Sequence, residues 1–79
     1  MEIKIFGSGC ANCKRLLENA RTAVKELSVE AEIKYITDYM EIVNAGFLRT
    51  PGLMINGKTV SSGRVPSADE IKVLIQSAN

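Results

Sequence analysis

Residues 2–17 read Glu2-Ile3-Lys4-Ile5-Phe6-Gly7-Ser8-Gly9-Cys10-Ala11-Asn12-Cys13-Lys14-Arg15-Leu16-Leu17. A short apolar run, three residues that break it, and a close cysteine pair lead straight into a helical pattern. Residues 2–6 alternate enough for a strand, and Gly7-Ser8-Gly9 gives the backbone freedom around the first cysteine. Cys10 and Cys13 are the only two cysteines of the chain. Two intervening residues leave their sulfurs close enough to bond. The helix start supplies unpaired N–H groups and the positive end of the dipole, which favour a thiolate over a thiol. Lowering a cysteine pKa from about 8.5 to about 7 raises the thiolate fraction at neutral pH from a few per cent to about half. The placement points to a dithiol that opens and closes.

Outward from this stretch, Leu16, Leu17, Ala20, Ala23, Val24 and Leu27 recur at helical spacing, with Lys14, Arg15, Glu18, Arg21, Lys25 and Glu26 on the other face. The spacing predicts an amphipathic helix from Ala11 to Leu27. Residues 30–36 alternate polar and apolar with period two, a half-covered strand, so strand, helix and strand form a parallel crossover unit. Asp38 and Glu41 give a capping-box pattern for a short helix ending near Gly46, with Met40, Ile42 and Val43 expected to be buried. Asn56-Gly57 between Leu53-Met54-Ile55 and Lys58-Thr59-Val60-Ser61 predicts an antiparallel hairpin. Pro66-Ser67-Ala68-Asp69-Glu70 opens a last helix whose buried stripe is Ile71, Leu74, Ile75 and Ala78. The expected architecture is α/β, order βαβαββα, with one four-stranded mixed sheet flanked by helices.

Length and composition bound the rest. The 79 residues, 46% of them hydrophobic, hold material for a single domain over 1–79. A chain this short buries only about 60% of its unfolded surface, which leaves no room for an elaborate substrate pocket. Ten basic against nine acidic residues, with no basic run, leave nucleic-acid binding without an electrostatic footprint. Met1-Glu2-Ile3-Lys4-Ile5-Phe6 lacks the apolar stretch of a signal peptide, and no run approaches the roughly 20 residues of a membrane span. The expectation is a cytoplasmic monomer with no membrane partner. In that reducing compartment a cysteine pair is catalytic or metal-binding rather than a structural staple, and a disulfide closing so small a loop would remove little unfolded-state entropy.

The order βαβαββα, with Cys10-Ala11-Asn12-Cys13 opening the first helix and Thr50-Pro51 just before the hairpin, resembles the thioredoxin/glutaredoxin superfamily. More closely, it resembles the small thioredoxin-like redox-active disulfide proteins of bacteria and archaea. The resemblance implies a cis peptide bond at Pro51, lying against the dithiol, with the backbone of Thr50 pairing with a bound substrate strand. It also implies a thiol–disulfide oxidoreductase, acting as a protein disulfide reductase, with no cofactor beyond the redox-active Cys10–Cys13 disulfide. Its partners would be a disulfide-containing protein and a thiol or reductase as electron donor. The chain departs from thioredoxins proper, which carry Trp before the first cysteine and Gly-Pro inside the motif; here Gly9 precedes it and Ala11-Asn12 lie within. The Pro-Tyr insert of glutaredoxins is missing. Ser61-Ser62-Gly63 keeps only the second glycine of the pair with which glutaredoxins help hold glutathione.

Where thioredoxins bury an aspartate that handles the proton of the second thiol, six residues before the first cysteine, this chain has Lys4. Its stem can pack while its ammonium reaches water, or it can lie under the dithiol and tune a thiolate. In the reading from the residues, Cys10 is the nucleophile and Cys13 the resolving thiol. Lys14, Arg15 and Arg49 read as solvated cations. Two alternatives stand beside catalysis. Two thiolates can hold Cu(I), as in small copper chaperones, although those run βαββαβ and this chain ends in a capped helix. A redox-sensing interaction module without turnover would use the same pair.

Overall fold

The structure is a computed structural model that describes residues 1–78. The elements are β1 (Glu2–Phe6), α1 (Ala11–Leu27), β2 (Glu32–Ile36), α2 (Tyr39–Asn44), β3 (Gly52–Ile55), β4 (Lys58–Ser62) and α3 (Ala68–Ser77). Each arises from a local signal. Cys10, Asp38 and Ser67 cap the three helices, each side chain accepting the backbone N–H three residues on. Asn56 and Gly57 both take positive φ, 51° and 80°, the mirror-image turn whose twist suits a tight hairpin. The strands form one sheet in the order β2-β1-β3-β4. β1 pairs parallel with β2 and antiparallel with β3, and β3 pairs antiparallel with β4. The Asn56 carboxamide oxygen accepts the Glu2 N–H at 2.9 Å, fastening the hairpin to the start of β1.

The two sheet faces are unequal. Ile3, Ile5, Leu53 and Ile55 point into a core closed by Leu16, Ala20 and Ala23 of α1 and Ile71 and Ile75 of α3. The alanines let α1 lie close to the sheet, and each fully buried Leu or Ile contributes about 1.5–3 kcal/mol. Asn19 of α1 donates to the Pro66 carbonyl at 3.0 Å, which pins the loop that launches α3. The opposite face carries a small cluster of Phe6, Ile42 and Phe47, the two rings 4.8 Å apart and tilted by 38°. Beyond that cluster the face is polar: Glu2 pairs with Lys4 at 3.6 Å and with Lys34 at 3.4 Å.

Three side chains depart from the periodicity reading. Of the expected α2 stripe only Ile42 is buried, while Met40 and Val43 are 59% and 46% exposed. A helix of six residues reaches the sheet with a single side chain, and its flanking positions point past the edge of the cluster. Ala78 is exposed because it caps α3 rather than lying within it.

Gly52 begins β3 directly beneath the Phe47 ring, where a Cβ would overlap ring atoms. Gly52→Ala is expected to displace that ring and cost about 1–3 kcal/mol, read as a lower urea midpoint; an unchanged midpoint would show that the loop carrying Phe47 gives way freely.

Candidate active site

The site lies where the central strand β1 ends and α1 begins. Gly9 turns the chain between them with φ of 87°, a left-handed conformation. Cys10 then holds extended backbone, φ −71° and ψ 170°, as the cap of α1. Its carbonyl accepts the Lys14 N–H at 3.0 Å, and its sulfur accepts the Cys13 N–H at 3.4 Å. No acidic residue occupies the first turn of α1 to offset the positive end of its dipole.

The two sulfurs are 2.7 Å apart, both thiols free, yet their surroundings are opposite. Cys10 is exposed and Cys13 is fully buried. The Cys13 thiol, followed by the Cys13 and Asn12 backbone N–H groups, holds the Cys10 thiol below the ordinary cysteine range. Burial pushes the Cys13 thiol up, and the neighbouring Cys10 adds to that rise. Such a pair has one sulfur poised as a thiolate at the surface and a second kept protonated underneath.

Gly7 makes this geometry possible, and the sequence reading assigned it only backbone freedom. A Cβ on residue 7 would overlap the Cys13 sulfur, so the bare backbone just after β1 is what admits the buried thiol. A glycine closing a central strand is itself a signal of close approach. The Gly7 N–H donates to the Ile36 carbonyl at 3.0 Å, which carries the β1–β2 ladder up to the site.

The Thr50–Pro51 peptide is cis. The β1–β3 register ends with Phe6 opposite Gly52, so Pro51 immediately precedes the last paired residue of β3, as Gly7, which lies against the Cys13 sulfur, immediately follows that of β1. Pro51 is buried and its carbonyl accepts the Gly63 N–H at 2.9 Å, while Thr50 is exposed. Ser8 and Thr50 line one end of a groove of about 360 Å³ that runs between α2 and the loop before Pro51, past Tyr39, Val43 and Leu48. Leu48 is 99% exposed and Tyr39 74% exposed, an apolar rim that strand and helix periodicity cannot reveal because it is built from a loop and a helix start.

Lys4 is not brought to the dithiol. Alternation along β1 sends Ile3 and Ile5 toward α1 and Lys4 with Phe6 toward the α2 face, where its ammonium pairs with Glu2. The causes that perturb the two thiols are local to residues 8–13. Of the two readings of Lys4, this placement supports a packed stem with a solvated head rather than thiolate tuning.

Among the described residues no group of three or more His, Cys, Asp or Glu side chains could hold a metal ion.

Comparison with known proteins agrees with the fold. A thioredoxin-domain family model matches residues 1–76. A thioredoxin of Methanothermobacter thermautotrophicus is 47% identical over 75 residues, which cover 95% of this chain and 97% of that one. A thioredoxin of Methanocaldococcus jannaschii is 43% identical over 75 residues, covering 95% of this chain and 86% of its own length. The chain belongs to the thioredoxin family, whose members are protein thiol–disulfide oxidoreductases.

Proposed function

We propose that this protein reduces disulfides of other proteins by a two-step exchange at Cys10 and Cys13. The Cys10 thiolate attacks one sulfur of the substrate disulfide, and the other substrate sulfur leaves as a thiolate. Cys13 then loses its proton and attacks the Cys10 sulfur; the second substrate thiolate departs, and the protein is left with a Cys10–Cys13 disulfide. Two electrons have passed to the substrate, and a thiol or a reductase returns them. The observation that carries this reading is the asymmetry of the pair: an exposed thiol with a lowered pKa, 2.7 Å from a buried one with a raised pKa.

Thr50 and Pro51 serve as the substrate platform in this proposal. The exposed Thr50 backbone is free to pair with an extended segment carrying the disulfide, and the groove beyond it favours a segment with apolar side chains. A resting dithiol suits a reducing compartment such as the cytosol. Residues 1–79 act as one domain and as a monomer, since both sulfurs of the exchange come from one helix start.

Two measurements test the reading. In insulin reduction by dithiothreitol, the wild-type protein is expected to accelerate precipitation, and Cys10→Ser to lose that acceleration by on the order of 100-fold or more. A wild type no faster than Cys10→Ser would favour a redox sensor without turnover. In alkylation followed by mass spectrometry, Cys10 is expected to react with a pH midpoint below that of an ordinary cysteine. Cys13→Ala should move that midpoint upward, because the donated hydrogen bond that most favours the Cys10 thiolate is gone; an unmoved midpoint means the helix start alone sets it.

A further inference from the structure

The exchange leaves one problem unsolved by the residues already described. In its second step Cys13 must become a thiolate while fully buried, and in the mixed disulfide the Cys10 sulfur is covalently occupied and has no S–H to offer. No polar or charged residue is fully buried among the described residues, so the carboxylate that would handle this proton elsewhere in the family has no counterpart here.

Tyr35 lies at this point. In the parallel register it stands opposite Ile5, on the face that packs against α1, and its ring joins the main core. Its hydroxyl is buried and makes no hydrogen bond; the Gly9 N–H approaches it without completing one. A buried hydroxyl without a partner costs free energy that a phenylalanine would not. The phenol also feels both sulfurs: burial first, then the charges of Cys13 and Cys10, raise its pKa, so it stays protonated as a thiolate forms beside it. The other groups around the site leave this role open. The residue after β1 is Gly7, the start of α1 presents Cys10, and the cations Lys14, Arg15 and Arg49 are exposed. Lys4 and Lys34 are engaged with Glu2 on the opposite face.

We propose that Tyr35 is a positioning residue for the second step, its idle hydroxyl turning to donate a hydrogen bond to the Cys13 sulfur as that thiol ionises. This rests on the two-step reading of Cys10 and Cys13. The proton of Cys13 goes to solvent, the phenol keeps its own, and the Cys13 electron pair forms the bond to Cys10 while the substrate sulfur leaves with the pair of the broken bond. The unpartnered hydroxyl of the reduced protein is then the cost of a donor held ready for a charge that exists only during turnover.

The test uses dithiobis(nitrobenzoate) at one equivalent, mixed rapidly with reduced protein. Attack by Cys10 releases a first coloured thiolate, and resolution by Cys13 releases a second. In Tyr35→Phe the second release is expected to slow by about tenfold or more and its pH profile to move upward, while the first changes by less than about twofold. The melting temperature should not fall, since the hydroxyl lost had no partner. A second release with wild-type rate and pH profile in Tyr35→Phe overturns the proposal alone. If the wild type itself releases no second thiolate, the resolving role of Cys13 fails and the proposal with it.

Discussion

The Cys13 sulfur occupies the space that a side chain on residue 7 would need, and the remaining arrangement follows from that contact. A helix that begins one tight loop after a central strand brings its first turn against the strand's end. Only a glycine there leaves room for a thiol at full burial. Because Cys13 is fixed under the strand, Cys10, one turn earlier, is left at the surface as the helix cap. The chemical difference between two identical side chains is thus a consequence of packing. One sulfur meets water and unpaired N–H groups; the other meets the apolar face of the sheet.

That contact needs α1 to lie at a set height over the sheet, and the core sets it. Leu16, Ala20 and Ala23 are fully buried against Ile3, Ile5, Leu53 and Ile55, with α3 closing the side through Ile71 and Ile75. These residues belong to four different elements, so the stability of the site is a property of the whole layer. The exposed ion pairs, such as Lys72 with Glu26 at 2.7 Å and Lys34 with Glu2, contribute little by comparison. The pair with Glu2 holds the Lys34 ammonium on the face that carries Lys4, opposite the core.

The groove proposed to receive substrate is assembled from loops and α2 rather than from the strands. Thr50 and Leu48 come from the loop before β3, Ser8 from the loop before α1, and Tyr39 from the start of α2. What draws them together is the sheet order, in which β1 sits beside β3 so that the end of one strand meets the beginning of the other. The small Phe6–Ile42–Phe47 cluster holds α2 and the loop in place beneath them.

Local signals in the chain determined much of this protein. The cysteine spacing ahead of an amphipathic helix, the Asn56-Gly57 turn, and the Asp38 and Ser67 caps each act over a few residues, so the βαβαββα order and the dithiol were legible without coordinates. Exposure was less so: Met40 and Val43 fit a helical stripe, yet a helix of six residues turns only Ile42 inward. Lys4 could be placed on β1 but not on a face, because which face meets α1 depends on how the strand pairs with β2 and β3. The tertiary structure alone decided that Lys4 turns away from the sulfurs, that Gly7 is there to make room, and that the Tyr35 hydroxyl is buried with nothing to bond. Each of these is a relation between residues distant in sequence, fixed by strand register and helix height, and no local propensity encodes it.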